Sequence, residues 1–339
     1  MVSMLGNGSL RPEGGVDMLN DIYYNNQYID SYRKDDDLLF DYRYENKGHY
    51  FVNKTIQRKI ERIGNVALHQ SICDLECAYG YGGYVTNGDT LFVEKAMEAY
   101  QEECLGKNVV AEFIRFHPFN SFSKKYANLF DFFVHDRNTI YVDLTQSREE
   151  RWQQYDSNTR NIIRKASKQL KFEETTDVAP FISMYRETML RNNADGFYFF
   201  SEDYFRRMMT LGGSQLFSIS LEGIPICASF VLFGSEIAHY HLSASLKEYM
   251  KYNANYFLLD CAFDIAKSKG MKYFHLGGGR SDKVDDSLFV FKRKFSKETL
   301  PFYVAGKIFM REQYDQLCEL WTRQTEKKMT YFLKYRLPL

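Results

Sequence analysis

Lys292 lies in the run SLFVFKRKFS between Phe291 and Phe295, two side chains suited to anchoring in apolar surface. That spacing predicts an ammonium projecting into a groove. A fixed cation beside a developing oxyanion lowers the barrier to amide formation. Arg293 and Lys294 adjoin it, so a solvated basic run is the plainer alternative. Just upstream, Gly277-Gly278-Gly279 precedes Arg280; without Cβ atoms, such backbone lets a ligand approach closely. No helix N-terminus is expected directly after it, which excludes a Rossmann or P-loop signature. Acylation also needs a base to free the attacking amine. His241, Asp282, Asp285 and Asp286 are the candidates, with His239 on the same strand face as His241. No G-x-S-x-G elbow accompanies them, which argues against a serine nucleophile.

Other residues could hold a substrate. Arg160, Arg164 and Lys168 recur every four residues, with Lys165 and Lys171 nearby, a basic stripe able to contact phosphates. Tyr79-Gly80-Tyr81-Gly82-Gly83 alternates rings with glycines and could stack on a sugar or base. Arg115, before His117-Pro118, could clamp a phosphate or carboxylate, or form a structural ion pair.

The elements that must position these groups are legible in part. Phe40, Tyr42 and Tyr44 alternate with Asp41 and Arg43 as a strand, and Glu45 to Gly48 supplies turn chemistry. Asp89 or Thr90 caps a helix to about Leu105; Val109 to Phe116 and Thr139 to Leu144 read as strands. Ser147 to Glu150 fits a capping box opening a helical stretch to Leu170. Then come a helix over 177–191, three strands over 216–221, 224–233 and 237–243, a helix over 253–269 closed by Gly270, and a strand over 273–276. An amphipathic helix is expected from Arg311 to Leu333, packed on the second domain, with Lys327, Lys328 and Lys334 available to an anionic membrane. The boundaries expected are a flexible leader over 1–20, one domain over 21–146 and a second over 147–339.

Three antiparallel strands, a helix and a further strand form the core order of the GNAT fold. Within it, HYHLSAS (239–245), KYNANYFLLDCAFDIAKSKGMKYFHLGGG (251–279) and the Phe291-Lys292-x-x-Phe295 motif resemble the Fem family, peptidoglycan bridge-forming aminoacyltransferases, and related acyltransferases of surface-polysaccharide loci. The Tyr-Gly loop and Arg115-Phe116-His117-Pro118 are similar to elements of the polysaccharide-associated members, and the resemblance spans about Asp21 to Phe302. It implies an α+β chain of two tandem GNAT-like domains, each a mixed, mostly antiparallel twisted sheet flanked by helices. It also implies the oxyanion role for Lys292 and phosphate contact by the RNIIRKA segment containing Arg160 and Arg164.

The implied activity is N-acyl transfer to an amine on a nucleotide- or lipid-linked cell-envelope precursor. The turn at Lys251 to Asn255 lacks the glycine that usually cradles the CoA pyrophosphate, which places aminoacyl-tRNA ahead of acetyl-CoA as co-substrate. An acetyl-CoA-dependent acetyltransferase of amino sugars, and a non-catalytic glycan-binding relative, are the alternatives. No tightly bound cofactor is expected. The 44 basic and 44 acidic residues give no global field for nucleic acid, so RNA would require a local patch. Six scattered cysteines suit a reducing compartment and give no metal framework. No apolar run of spanning length occurs, and the expectation is a cytoplasmic protein with possible peripheral contact at the inner membrane face.

Overall fold

A computed structural model describes residues 16–34 and 36–339. Along the chain run α1 (Asn26–Tyr32), β1 (Leu38–Asn46), β2 (His49–Lys59), β3 (Arg62–Ile63), β4 (Val66–Ala67), β5 (Cys73–Glu76), β6 (Val85–Thr86), α2 (Thr90–Gly106) and β7 (Val109–Arg115). There follow α3 (Phe122–Lys125), β8 (Phe132–Asp143), α4 (Arg148–Gln154), α5 (Ser157–Ala166), β9 (Leu170–Glu174), α6 (Ala179–Arg191) and α7 (Glu202–Thr210). The last group is β10 (Ser214–Leu221), β11 (Ile224–Phe233), β12 (Ile237–Ser245), α8 (Ala254–Ser268), β13 (Tyr273–Gly278), α9 (Ser287–Lys292), β14 (Thr299–Ile308) and α10 (Arg311–Thr322).

Two compact units result. Unit I comprises the residues up to Ile22 with Arg137–Pro301; unit II comprises Tyr23–Asp136 with Phe302–Leu339. The boundary differs from the expected 146/147 because Thr139 to Asp143 pair with β13 and so belong to unit I. The C-terminal helix also changes side. Leu317, Cys318 and Trp321 of α10 pack on Ile60, Ile63 and Val110, so apolar burial binds it to unit II. It stops at Thr322, short of Leu333, and Lys327 and Lys328 lie beyond it. Of the expected leader, residues 1–15 lie outside the described residues; Met18–Asn20 instead form a capped turn in which Met18 is buried.

In unit I the sheet order is β8-β13-β12-β11-β10-β9, antiparallel except for the β12–β13 pair, which α8 connects. The β10–β11 hairpin turns at Glu222 (φ +51) and Gly223 (φ +83), the paired left-handed geometry that suits two-residue hairpins. Ser147 and Glu150 form the capping box, but the helical stretch after it is broken at Tyr155-Asp156 into α4 and α5. Asp260 of α8, itself buried, accepts from Trp152 Nε1 (2.8 Å), Arg148 Nη2 (3.0 Å) and the Tyr155 hydroxyl (3.0 Å), tying α4 to α8. The sheet's other neighbours in the core are Leu259, Phe263, Phe289 and Phe295.

Unit II repeats the plan in the order β1-β2-β5-β7-β14, with β6 on β2 and β3 paired with β4. Its parallel pair is β5–β7, connected by α2, and β14 runs antiparallel to β7. Phe40 is buried on β1 while Asp41 and Arg43 face out, as the alternation predicts. Around them Phe51, Tyr84, Tyr100, Phe116 and Phe122 make a largely aromatic interior.

Candidate acyl-transfer site

The site in unit I begins where two parallel strands part. β12 and β13 pair only from Ile237↔Tyr273 to His239↔His275. Beyond that, β12 continues along β11, whereas β13 shifts register between His275 and Gly277 and follows β8. Gly277 sits at φ +75, a conformation glycine adopts without strain. A Cβ on Gly278 would meet Arg137 Cδ at 2.8 Å, and one on Gly279 would meet Asp286 Oδ1 at 2.6 Å. The close approach anticipated for a ligand is thus used by the protein's own side chains.

Lys292 closes this loop from α9. It is 6% exposed, and its Nζ donates to the Gly278 carbonyl at 2.7 Å. The ammonium therefore lies behind the glycines and does not project into a solvated groove. Of the basic run, Arg293 alone is exposed beside it, and Lys294 donates to the Tyr256 hydroxyl. Arg137 donates in parallel to the Gly279 carbonyl at 2.7 Å. Burial pushes the Lys292 ammonium down to about 7; the Asp286 carboxylate resists this and Arg137 adds to it. A buried lysine held near neutrality can carry a proton or release it at modest cost. Phe291 is half-buried, edge-on to Tyr256 at 5.0 Å and to Phe295 at 5.7 Å, and so fixes the end of α9 as the motif predicts.

Asp286, rather than Asp285, organises the segment. Its Oδ1 accepts from the Leu288 and Phe289 amides, capping α9, and its Oδ2 accepts from Arg280 N, Ser281 N and the Ser281 hydroxyl. Burial opposes its charge, but the amides of Phe289, Arg280 and Ser281 outweigh that and hold the carboxyl below its ordinary range. Asp285 and Arg280 have exposed side chains. His241 occupies a bulge in β12, between the pairs Val231↔Tyr240 and Phe230↔Leu242. Its Nε2 lies 2.9 Å from the Tyr204 hydroxyl. Burial, with His239 adding, pushes its imidazolium form down to about 3, so the ring stays neutral and holds a proton weakly. His239 turns instead to Asp21, 2.9 Å away, with His275 Nδ1 at 3.5 Å.

The remaining expected residues lie elsewhere. Arg160 spends its Nη1 on the carbonyls of Trp152, Gln153 and Tyr155, closing the end of α4. The break between α4 and α5 brings those carbonyls within reach. Arg164 is exposed, its guanidinium 5.5 Å from the Trp152 ring centroid, whereas Lys168 lies past the end of α5 and Lys171 pairs with Glu173. In unit II, Arg115 pairs with Glu76 at 2.5 Å and lies over the Phe113 ring, which is the ion-pair alternative. Tyr79 accepts the Tyr28 hydroxyl on its carbonyl, and Tyr81 sets its ring edge-on to Tyr23 and Phe302. Arg137 and Tyr204 are the site neighbours that sequence reasoning missed. Neither sits in a motif, since both reach the site only through the pairing of distant elements.

Residues 155–293 match the family described as an acetyltransferase (GNAT) domain. The chain carries a GNAT acyltransferase domain. The matched span holds β9 to β13, α9, the glycine loop and Lys292. No curated protein matches the sequence. Among solved structures the chain is similar to FemX, at 13% identity and a TM-score of 0.67, covering 90% of this chain and 96% of that one. It is also similar to the C-terminal domain of an Agrobacterium fabrum protein assigned as a lysylphosphatidylglycerol synthetase, at 14% identity and a TM-score of 0.51, covering 86% and 90%. These likenesses establish the shared fold around the GNAT domain, a mixed α+β arrangement of mostly antiparallel strands flanked by helices. Among the described residues no helix is long and apolar enough to cross a membrane.

Proposed function

We propose that this protein transfers an aminoacyl group from aminoacyl-tRNA to an amine on a nucleotide- or lipid-linked cell-envelope precursor. The observation that carries the reading is Lys292, in the Phe-Lys-x-x-Phe motif shared with the Fem family, buried where β12 and β13 part and bonded to the Gly278 carbonyl. Burial makes its lone charge costly, so an oxyanion forming within reach would gain a partner already desolvated and oriented. The amine is acylated as its proton leaves, with His241, neutral beside Tyr204, and the acids near the glycine loop as the bases to test. No cofactor enters the scheme, and the acyl donor acts as a co-substrate.

The turn before α8 supports aminoacyl-tRNA as donor. Asn253 takes a left-handed conformation (φ +54) and so places a side chain where a glycine would leave room for a pyrophosphate. The exposed cations Arg164, Lys165 and Lys168 offer the local basic surface that RNA needs. One observation favours acetyl-CoA as the second reading. The first turn of α8 has no side-chain cap, and a helix terminus of that kind favours an anion. Calorimetric titration with charged tRNA and with acetyl-CoA separates the two. Salt-sensitive tRNA binding without CoA binding is expected; saturable CoA binding alone would overturn the donor assignment. A peripheral site at the inner membrane face follows from a lipid-linked acceptor, and sedimentation with anionic vesicles tests it.

A further inference from the structure

Unit I contains a second recess that the acyl-transfer reading does not use. Glu173 of β9, Ser218 of β10 and Ala228 of β11 stand side by side in register across one sheet face. Two of the three are small, so the face is hollow where the first turns of α6 cover it. The cavity has a volume of about 220 Å³, with Phe181, Met184 and Leu216 among its apolar walls. Pro180 and Pro225 stiffen two sides, which makes the space preformed. Its charged groups have one sign. Glu173 and Asp177 line it with carboxylates. Ser218 is 4% exposed, and among the described residues its hydroxyl has no hydrogen-bond partner. Ser218 lines the recess, where its hydroxyl can both donate to and accept from a ligand. The carboxylates are only partly engaged. Asp177 accepts from the Ala179 amide at 3.1 Å, and Glu173 meets Lys171 at 2.7 Å through a lysine side chain that is 75% exposed and therefore weakly held.

We infer that this cavity binds a small primary amine as its ammonium, with a short apolar stem lying between α6 and the sheet. The stem fills the space left by Ser218 and Ala228, and the ammonium donates to Glu173, Asp177 and the Ser218 hydroxyl. Charge sets the class: an anionic ligand would meet two carboxylates, and a purely apolar one would leave Ser218 without a partner. The inference is independent of the role of Lys292.

The test is calorimetric titration of the full chain at neutral pH with n-pentylamine, and with pentan-1-ol as a neutral probe of the same length. Saturable binding of pentylammonium is expected, weakened about tenfold or more when Glu173→Gln and Asp177→Asn are combined. Ala228→Leu fills the cavity and should abolish binding; Ser218→Val intrudes less and serves if the leucine variant does not fold. Absence of saturable pentylamine binding, equal affinity for the alcohol, or binding indifferent to both the charge and the filling variants would overturn the inference.

Discussion

Units I and II build the same parallel strand pair and put opposite things in it. In unit I, β12–α8–β13 leads to a buried cation, Lys292, held by a carbonyl. In unit II, β5–α2–β7 carries a buried carboxyl on β7. Glu112 is fully buried, and accepts from Asn53 Nδ2 (2.7 Å) and the hydroxyls of Tyr84 (2.6 Å) and Tyr100 (2.8 Å). The crossover helices differ as well. Asp89 caps α2 by accepting from Phe92 N, which places a negative charge where an anion would bind. The corresponding end of α8 has no such cap. The lesson is that repeating a fold does not repeat a site. In unit II the Glu112 carboxyl and the start of α2 have partners within the unit, whereas in unit I Lys292 meets a lone carbonyl and the start of α8 has no side-chain cap.

The largest effect that would break the comparison lies at Lys292. Lys292→Met keeps the stem's packing and removes the charge, so turnover should fall by about a hundredfold or more with the fold retained by circular dichroism. Glu112→Gln in unit II should leave turnover within about twofold, a span worth under 1 kcal/mol. Equal losses in the two variants would place the chemistry in both units.

The second effect is in pH. Turnover that needs the Lys292 ammonium should decline as pH rises through about 7, and the decline should vanish in whatever activity Lys292→Met retains. Stability moves the other way at this residue. Its folded pKa lies below the unfolded one, so the unfolded chain binds more protons above about 7 and wild-type stability rises with pH there, relative to Lys292→Met. Glu112 has the opposite sign. Burial raises its pKa against the pull of Tyr84, Asn53 and Tyr100, so its contribution is greatest below the unfolded carboxylate pKa and is lost as pH rises through the folded value. Urea titrations across pH should show that loss in the wild type and a flatter profile in Glu112→Gln. Glu112→Ala, by stranding three donors, should cost about 1–3 kcal/mol or more at every pH.

How much of this could be read from residues alone follows the range of the interactions. Hairpins, caps and the α8–β13 connection are local, and Ser147 to Glu150, Asp89 and the Phe40 alternation announced them correctly. The Phe-Lys-x-x-Phe motif pointed to Lys292 because its two rings fix the end of α9. Its burial was not legible, since the carbonyl it meets belongs to β13 and the arginine beside it to β8. Arg160 looked available because helical spacing counts faces, and three carbonyls at a helix break are invisible to that count. Arg115 was open between two readings that only the position of Glu76 could separate. Membership of α10 in unit II depended on which apolar surface it would cover, and amphipathicity shows that a face is buried without showing against what.

The smallest effect sharpens the contrast between the two crossover helices. Asn253 holds a left-handed conformation that glycine adopts freely, so Asn253→Gly should change stability by no more than about 1 kcal/mol. Asp89→Ala in unit II should cost about 1 kcal/mol by freeing the Phe92 amide. Their consequences for ligands diverge. Removing the Asn253 side chain clears the approach to the uncapped turn of α8, so acetyl-CoA affinity, followed by calorimetry, should rise from its low starting value. Removing Asp89 should create no CoA binding, because Phe92 packs against the backbone of Gly88 and closes the space before α2. A gain of CoA binding in Asp89→Ala with none in Asn253→Gly would reverse the roles assigned to the two units.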